Sequence, residues 1–221
     1  MTYRTSHFIK TFICMIIAGA LMIYGFMVIQ DKIYETSHPA VVNISAKSLR
    51  IENGTLYLPI INGNSTIYEL VEETNNNFIN FVNNNELHSV THKVTFVNPK
   101  VISIVWEGNY KGTANDIDGD EDDVSYKVMD SMVIDLTTKK ELTKSEIAKW
   151  IIENKYSQKK EEIPINLNRV KDKGFDAYQN AYIENGDDKY PNIVLYWRNN
   201  LNLQKYNIQK MNAEDLVKNI K

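Results

Sequence analysis

This 221-residue sequence contains a single cysteine, Cys14. One cysteine cannot bridge within its own chain, so a disulfide scaffold is excluded. There is no long basic run, and the formal charge is only -3. Both facts argue against a dedicated nucleic-acid binder. The nucleophile-elbow pattern G-x-S-x-G, the P-loop and the dinucleotide fingerprint G-x-G-x-x-G are all missing, so no standard catalytic or cofactor motif is present. No internal repeat is visible. What is present is apolar: 43% hydrophobic residues and 10% aromatics, enough to bury a real core. At about 150 residues per domain, the length suggests one domain with an appendage. The 26 asparagines reflect genome composition more than function.

The appendage is the segment Thr11 to Ile29, TFICMIIAGALMIYGFMVI, which carries no charge. Nineteen residues of helix span about 28 Å at ~1.5 Å per residue, close to a hydrocarbon core of ~30 Å. A buried core helix would show a polar face, and this segment has none. Arg4 and Lys10 precede it, while Asp31, Lys32 and Glu35 follow without cationic excess. The positive-inside rule then puts the N-terminus in the cytoplasm and the rest outside. The run is longer than a signal-peptide core, and no small-x-small cleavage site follows it, so an uncleaved anchor is expected. Thr11-Phe12-Ile13 before Cys14 is not a lipobox, and Cys14 reads as a plain membrane residue. The organisation expected is residues 1–30 as a membrane anchor, 31–40 as a tether and 41–221 as an extracytoplasmic domain. Residues 31–221 hold 23 basic and 28 acidic side chains, about -5.

The outer region opens with a hairpin signal. Ser48 to Glu52 alternates, Asn53-Gly54 suits a type I′ turn, and Thr55 to Ile60 alternates again. Pro59 implies that its strand is at an edge there, or ends. Asn62-Gly63-Asn64 turns into a helix with Ile67, Leu70, Val71, Phe78, Phe81 and Val82 on one face, ending at Asn83-Asn84-Asn85. Strands are expected over Val90–Phe96, Val101–Trp106 and Val124–Ile134, the last interrupted by Asp130. The run from Val101 is continuously apolar, as in a central strand. A polar loop is expected from Tyr110 to Asp123. Thr143-Lys-Ser-Glu146 is a capping box before an amphipathic helix. Residues 166–184 read as helical despite Gly174. Residues 192–198 and 203–211 read as strands, and a short helix follows Asn212. Short links favour antiparallel pairing. The fold class expected is α+β: an antiparallel sheet with helices packed on one face, after a single transmembrane helix.

The most distinctive polar feature is the acidic loop, with Asp116, Asp118, Asp120, Glu121, Asp122 and Asp123. Counted from Asp116, the positions that an EF-hand gives to Gly and Glu hold Glu121 and Lys127, so that calcium template fails. The loop reads as a solvated turn, a docking surface for a cationic partner, or a calcium site of another kind. As a docking surface it would act with the neighbouring Tyr110 and mainly raise the association rate. His88 and His92 are four residues apart in a strand, about 13 Å between Cα atoms at ~3.3 Å per residue, which is too far for one metal. Glu161-Glu162 and Asp187-Asp188 are sequence neighbours and read as solvated charge, not an acid–base pair. Trp106 and Trp197 read as core residues; with Tyr110 and Tyr126, stacking on sugar rings is the alternative. The sequons at Asn43, Asn53 and Asn64 follow from asparagine abundance. No catalytic residue, metal or cofactor is expected.

Two stretches resemble a known domain. Leu58-Pro59-Ile60-Ile61-Asn62-Gly63 before an Asn-rich helix is one. Val101–Tyr110, with Ser125-Tyr126 through Asp135 to Thr143, is the other. Over residues 41–157 they resemble an extracytoplasmic domain found in the lysozyme-sensing anti-sigma factor RsiV and beside the catalytic domain of the deacetylase PdaC. The N-terminal tail of about ten residues is shorter than a sigma-factor-binding domain. The Gly-Ala-His-rich loop of many relatives is replaced here by Thr113–Asp123, and the deacetylase nucleus TFDDGP is absent. The resemblance implies a surface module that binds a ligand, with lysozyme or wall glycans as the candidates. A different class also fits the topology: a structural subunit of an envelope machine, as in conjugation or secretion.

Overall fold

The computed structural model describes residues 17, 21–27, 39–51, 54–84, 86–115, 121–170, 175, 177–186, 189–198 and 205–220, with the backbone alone for 82–84, 86–88, 110–115 and 121–126. The chain divides into two compact units, Met1–Pro39 and Ala40–Lys221. In the first, residues 17 and 21–27 are helical. Among the described residues no helix is long and apolar enough to cross a membrane. Most of the expected span, including Cys14, lies outside the described residues.

The second unit is α+β. Strands β1 (Asn43–Ile51) and β2 (Gly54–Asn62) form an antiparallel hairpin, but not with the Asn53-Gly54 turn expected: Gly54 is already paired, opposite Ile51. Helix α1 (Ser65–Asn84) follows, capped by Asn64, whose Oδ1 accepts from the Ile67 amide at 3.1 Å. The turn before it needs glycine. Gly63 has φ 105°, and a Cβ there would sit 2.3 Å from the Val41 carbonyl oxygen. Strands β3 (Glu86–Val97), β4 (Val101–Asn115), β5 (Glu121–Asp135) and β6 (Lys140–Glu141) complete a six-stranded sheet in the order β1-β2-β3-β4-β5-β6.

That sheet corrects the expectation of purely antiparallel pairing. β2 and β3 run parallel, with Thr55 opposite Ser89 and Leu56 opposite Val90. They are joined through α1, and a helical crossover is the connection that parallel neighbours need. The parallel ladder ends at Leu56, so Pro59 lies where β2 pairs with β1 alone, and its missing N–H disrupts no second ladder.

Helix α2 (Lys144–Gln158) begins at the capping box read from the sequence. Thr143 Oγ1 accepts from the Glu146 amide, and Glu146 Oε2 accepts from the Thr143 amide at 2.8 Å. The helix expected over 166–184 is instead a 3₁₀ turn, Leu167–Arg169, and a strand, β7 (Asn180–Glu184). Ala181, Tyr182 and Ile183 are buried in succession, and so short an apolar run has no periodicity to separate strand from helix. β7 pairs with β8 (Asn192–Arg198), which pairs with β9 (Tyr206–Met211), as a separate antiparallel sheet. Helix α3 (Ala213–Ile220) closes the chain, and Lys155 of α2 reaches Glu214 of α3 at 2.6 Å.

The large sheet is covered on both faces, not one. Along β4, Ile102, Ile104 and Trp106 join Ile67, Val71 and Phe78 of α1 in one core. Val101 and Val105 belong to a second core with α2, α3 and the small sheet. Strand alternation sends successive side chains to opposite faces. This is why the run Val101–Trp106 is apolar at nearly every position.

Candidate functional site

Part of the acidic feature lies where β4 and β5 extend beyond β3. β3 stops pairing with β4 at Glu86 opposite Lys111, whereas β4 and β5 continue to Asn115 opposite Glu121. The rungs from Gly112–Val124 onward therefore form a two-stranded ribbon. The polar loop expected over 110–123 is thus mostly paired strand, because the ladder is made by backbone groups and needs no apolar side chains. Tyr110 lies opposite Tyr126, Asp123 opposite Thr113 and Asp122 opposite Ala114. Glu121, Asp122 and Asp123 thus have backbone positions on this ribbon, the acidic arm, while Asp116, Asp118 and Asp120 lie outside the described residues.

Other residues singled out in the sequence have structural work. His92 Nδ1 is 2.8 Å from the Tyr57 carbonyl, serving a β2 oxygen just past the end of the parallel ladder. His88 falls at a register irregularity of β3. Trp106 is fully buried, and its indole N–H donates to Asn75 Oδ1 at 3.0 Å. The Asn75 amide in turn donates to the Pro59 carbonyl at 2.8 Å. Trp197 is half-buried and meets Tyr178 edge-on, ring centroids 5.2 Å apart. Glu161 and Glu162 are exposed; Asp187, Asp188 and Asn53 lie outside the described residues. Asn43 begins β1.

The interface between the two sheets is polar at its seams. Ser103 Oγ accepts from the Ile183 amide at 3.0 Å and from Thr95 Oγ1 at 3.0 Å. Ser131 Oγ donates to the Ala181 carbonyl at 2.9 Å and accepts from the Tyr196 hydroxyl at 3.0 Å. Asn180 donates to the Ser131 carbonyl and to Asp130 Oδ1, at 2.9 and 3.0 Å. Burial pushes the Asp130 carboxyl up, with the Ser131 amide and the Asn180 side chain opposing.

Beside these seams, β3, β4 and β7 enclose a cleft of about 320 Å³. Lys93 and Thr95 come from β3, Glu107 from β4, Tyr182 and Glu184 from β7, and Asn185 follows β7. Val105 adds an apolar part to the wall. Each glutamate already has a cation: Lys127 Nζ is 2.6 Å from Glu107, and Lys210 Nζ is 2.6 Å from Glu184. Burial, then Glu184 and Glu107, push the Tyr182 phenol up to about 12. Tyr182 therefore stays protonated at neutral pH, able to donate and to accept. No local signal marks this cleft: its polar residues come from β3, β4 and β7, far apart along the chain, and Tyr182 and Glu184 fall in the segment expected to be helical.

No family model matches the sequence, and no curated protein does. Two solved structures with which the fold aligns are DUF3298 family proteins. The one from Pseudomonas aeruginosa PAO1 shares 10% identity at a TM-score of 0.41, covering 84% of this chain and 98% of its own. The one from Bacteroides fragilis shares 9% identity at a TM-score of 0.40, covering 80% and 93%.

Proposed function

We propose that the chain is a membrane-anchored extracytoplasmic binding module of a bacterial cell envelope, with its N-terminus in the cytoplasm and residues 41–221 outside. The observation that carries this reading is the uncharged run Thr11–Ile29. Its described residues add support. Leu21, Met22, Ile23, Tyr24, Phe26 and Met27 are each more than half exposed within a helical stretch. Successive helical positions are rotated by about 100°, so these side chains point in all directions around the axis. In water such a helix would need a polar face; in hydrocarbon it needs none.

The module binds and does not catalyse. Its partner is a cationic protein such as lysozyme, met by the acidic arm, with wall glycans as the second ligand class. An arm that extends beyond β3 and carries concentrated negative charge speeds encounter with a basic surface. The test is association of the full chain, in detergent micelles, with immobilised lysozyme at low and high salt. We expect binding whose on-rate falls at least about tenfold when Asp116, Asp118, Asp120, Glu121, Asp122 and Asp123 become Asn or Gln. Binding indifferent to those six changes, or no binding at all, rejects the docking role.

A further inference from the structure

The inter-sheet cleft carries an inference that stands without the membrane placement or the acidic arm. Two of its features point to a ligand. Tyr182 is 9% exposed, yet among the described residues its hydroxyl has no hydrogen-bond partner. Leaving a buried hydroxyl unpaired costs about 1–3 kcal/mol. Lys93, at the rim, has no ion-pair partner among the described residues.

The charges narrow the chemistry. Glu107 and Glu184 are neutralised by Lys127 and Lys210. They remain good acceptors for hydroxyl groups but are not open cation sites. With those pairs cancelled, Lys93 leaves the cleft one positive charge in excess. The Tyr182 hydroxyl and the Asn185 amide each offer donors and acceptors. A volume of about 320 Å³ is at the small end of ligand pockets, roughly 300–1,000 Å³. It suits one substituted ring and not an extended chain. A ligand that supplies several hydroxyls, a compact body with an apolar C–H edge for Val105, and one negative charge satisfies all of these at once.

We propose that this cleft binds a monosaccharide-sized ligand bearing one carboxylate, with Tyr182, Glu107, Glu184 and Asn185 meeting ring hydroxyls and Lys93 meeting the carboxylate. Glucuronate is the simplest probe. Glucose differs by lacking the carboxylate, and acetate by lacking the ring.

The full chain in detergent micelles is titrated with each probe by calorimetry. We expect saturable glucuronate binding with a Kd on the order of 1 mM or tighter, and glucose and acetate each at least about tenfold weaker. Lys93→Met should bring glucuronate down to the level of glucose. Tyr182→Phe should weaken glucuronate about tenfold while leaving the thermal midpoint unchanged or higher, because it deletes an unpartnered buried hydroxyl. Absence of saturable glucuronate binding overturns the proposal, as does equal affinity for all three probes. So does affinity that survives both substitutions. Lysozyme association is read on the arm and is untouched by either substitution, so this test and the docking test fail separately.

Discussion

The two faces of the large sheet are built from the same strands and solve different problems. Toward α1, β4 presents Ile102, Ile104 and Trp106, and β5 presents Met132 and Ile134. Within that core the Trp106 indole donates to Asn75, whose amide donates to the Pro59 carbonyl and to Glu72. Toward the small sheet, the alternate positions Val101, Ser103 and Val105, and Ser131 and Val133, face β7. Two serines there bond the backbone of the opposing sheet, and the seam opens into the charged cleft. One face is an apolar core covered by a helix. The other is a polar-laced joint with room for a ligand. Both faces bury an apolar core, and the cleft lies on the second.

The largest expected effect is on the α1 face. Trp106→Ala empties a fully buried position and should cost about 3–5 kcal/mol in denaturant unfolding. Asn75→Leu keeps the volume but strands the Trp106 N–H and the Pro59 carbonyl, costing about 2–4 kcal/mol. If Asn75→Leu is neutral, the α1 core is not held by its polar chain and the contrast between faces weakens. Ser131→Ala comes next. It orphans the Ala181 carbonyl and the Tyr196 hydroxyl at the joint, and we expect a loss of about 1–3 kcal/mol. A loss equal to that of Trp106→Ala would mean that the joint carries as much stability as the core.

The smallest effect is a pH dependence. Asp130 ionises less readily in the folded state than in the unfolded chain, because burial outweighs its hydrogen bonds. Its folded state binds a proton first, so its contribution to stability grows as pH falls from the raised value toward the ordinary Asp value. Glu214 behaves oppositely: the Lys155 ammonium holds its carboxyl down, so that stabilisation is present above the ordinary Glu value and is lost as pH falls through the lowered one. Unfolding midpoints of the native chain and Asp130→Asn, compared across the mildly acidic range, isolate the Asp130 effect. The native chain should gain relative to the variant as pH falls through that window, and parallel curves would contradict this.

Local signals made much of the first half of the domain legible. Asn53-Gly54 marked the β1–β2 hairpin to within one residue, since Gly54 itself pairs with Ile51; the period of Ile67, Val71 and Phe78 marked α1, and Thr143 with Glu146 marked the start of α2. Long-range packing made the rest illegible. β7 is fixed by Ser131 and Ser103, which lie 50 and 80 residues away from their partners on β7, and nothing local separates Ala181–Ile183 from a helical segment. The parallel β2–β3 pair was implicit in the helix between them, whereas the second sheet was not. Asn75 had a readable signal, a polar residue inside the apolar stripe of α1. The acidic arm was visible as charge, but its extension as paired ribbon was not, because Thr113 to Asp123 lacks apolar alternation. The cleft residues of β3 and β4 looked like ordinary strand positions, those of β7 fell in a segment expected to be helical, and only their convergence distinguishes them.

The central claim is that a self-contained domain is held outside the cell by one N-terminal helix. Its most direct test is to treat intact spheroplasts with a protease and probe carbonate-washed membranes for the chain. The account predicts that the untreated protein stays in the washed membrane and that protease added outside removes residues 41–221. A chain released by the wash, or one protected until the membrane is opened, would contradict it.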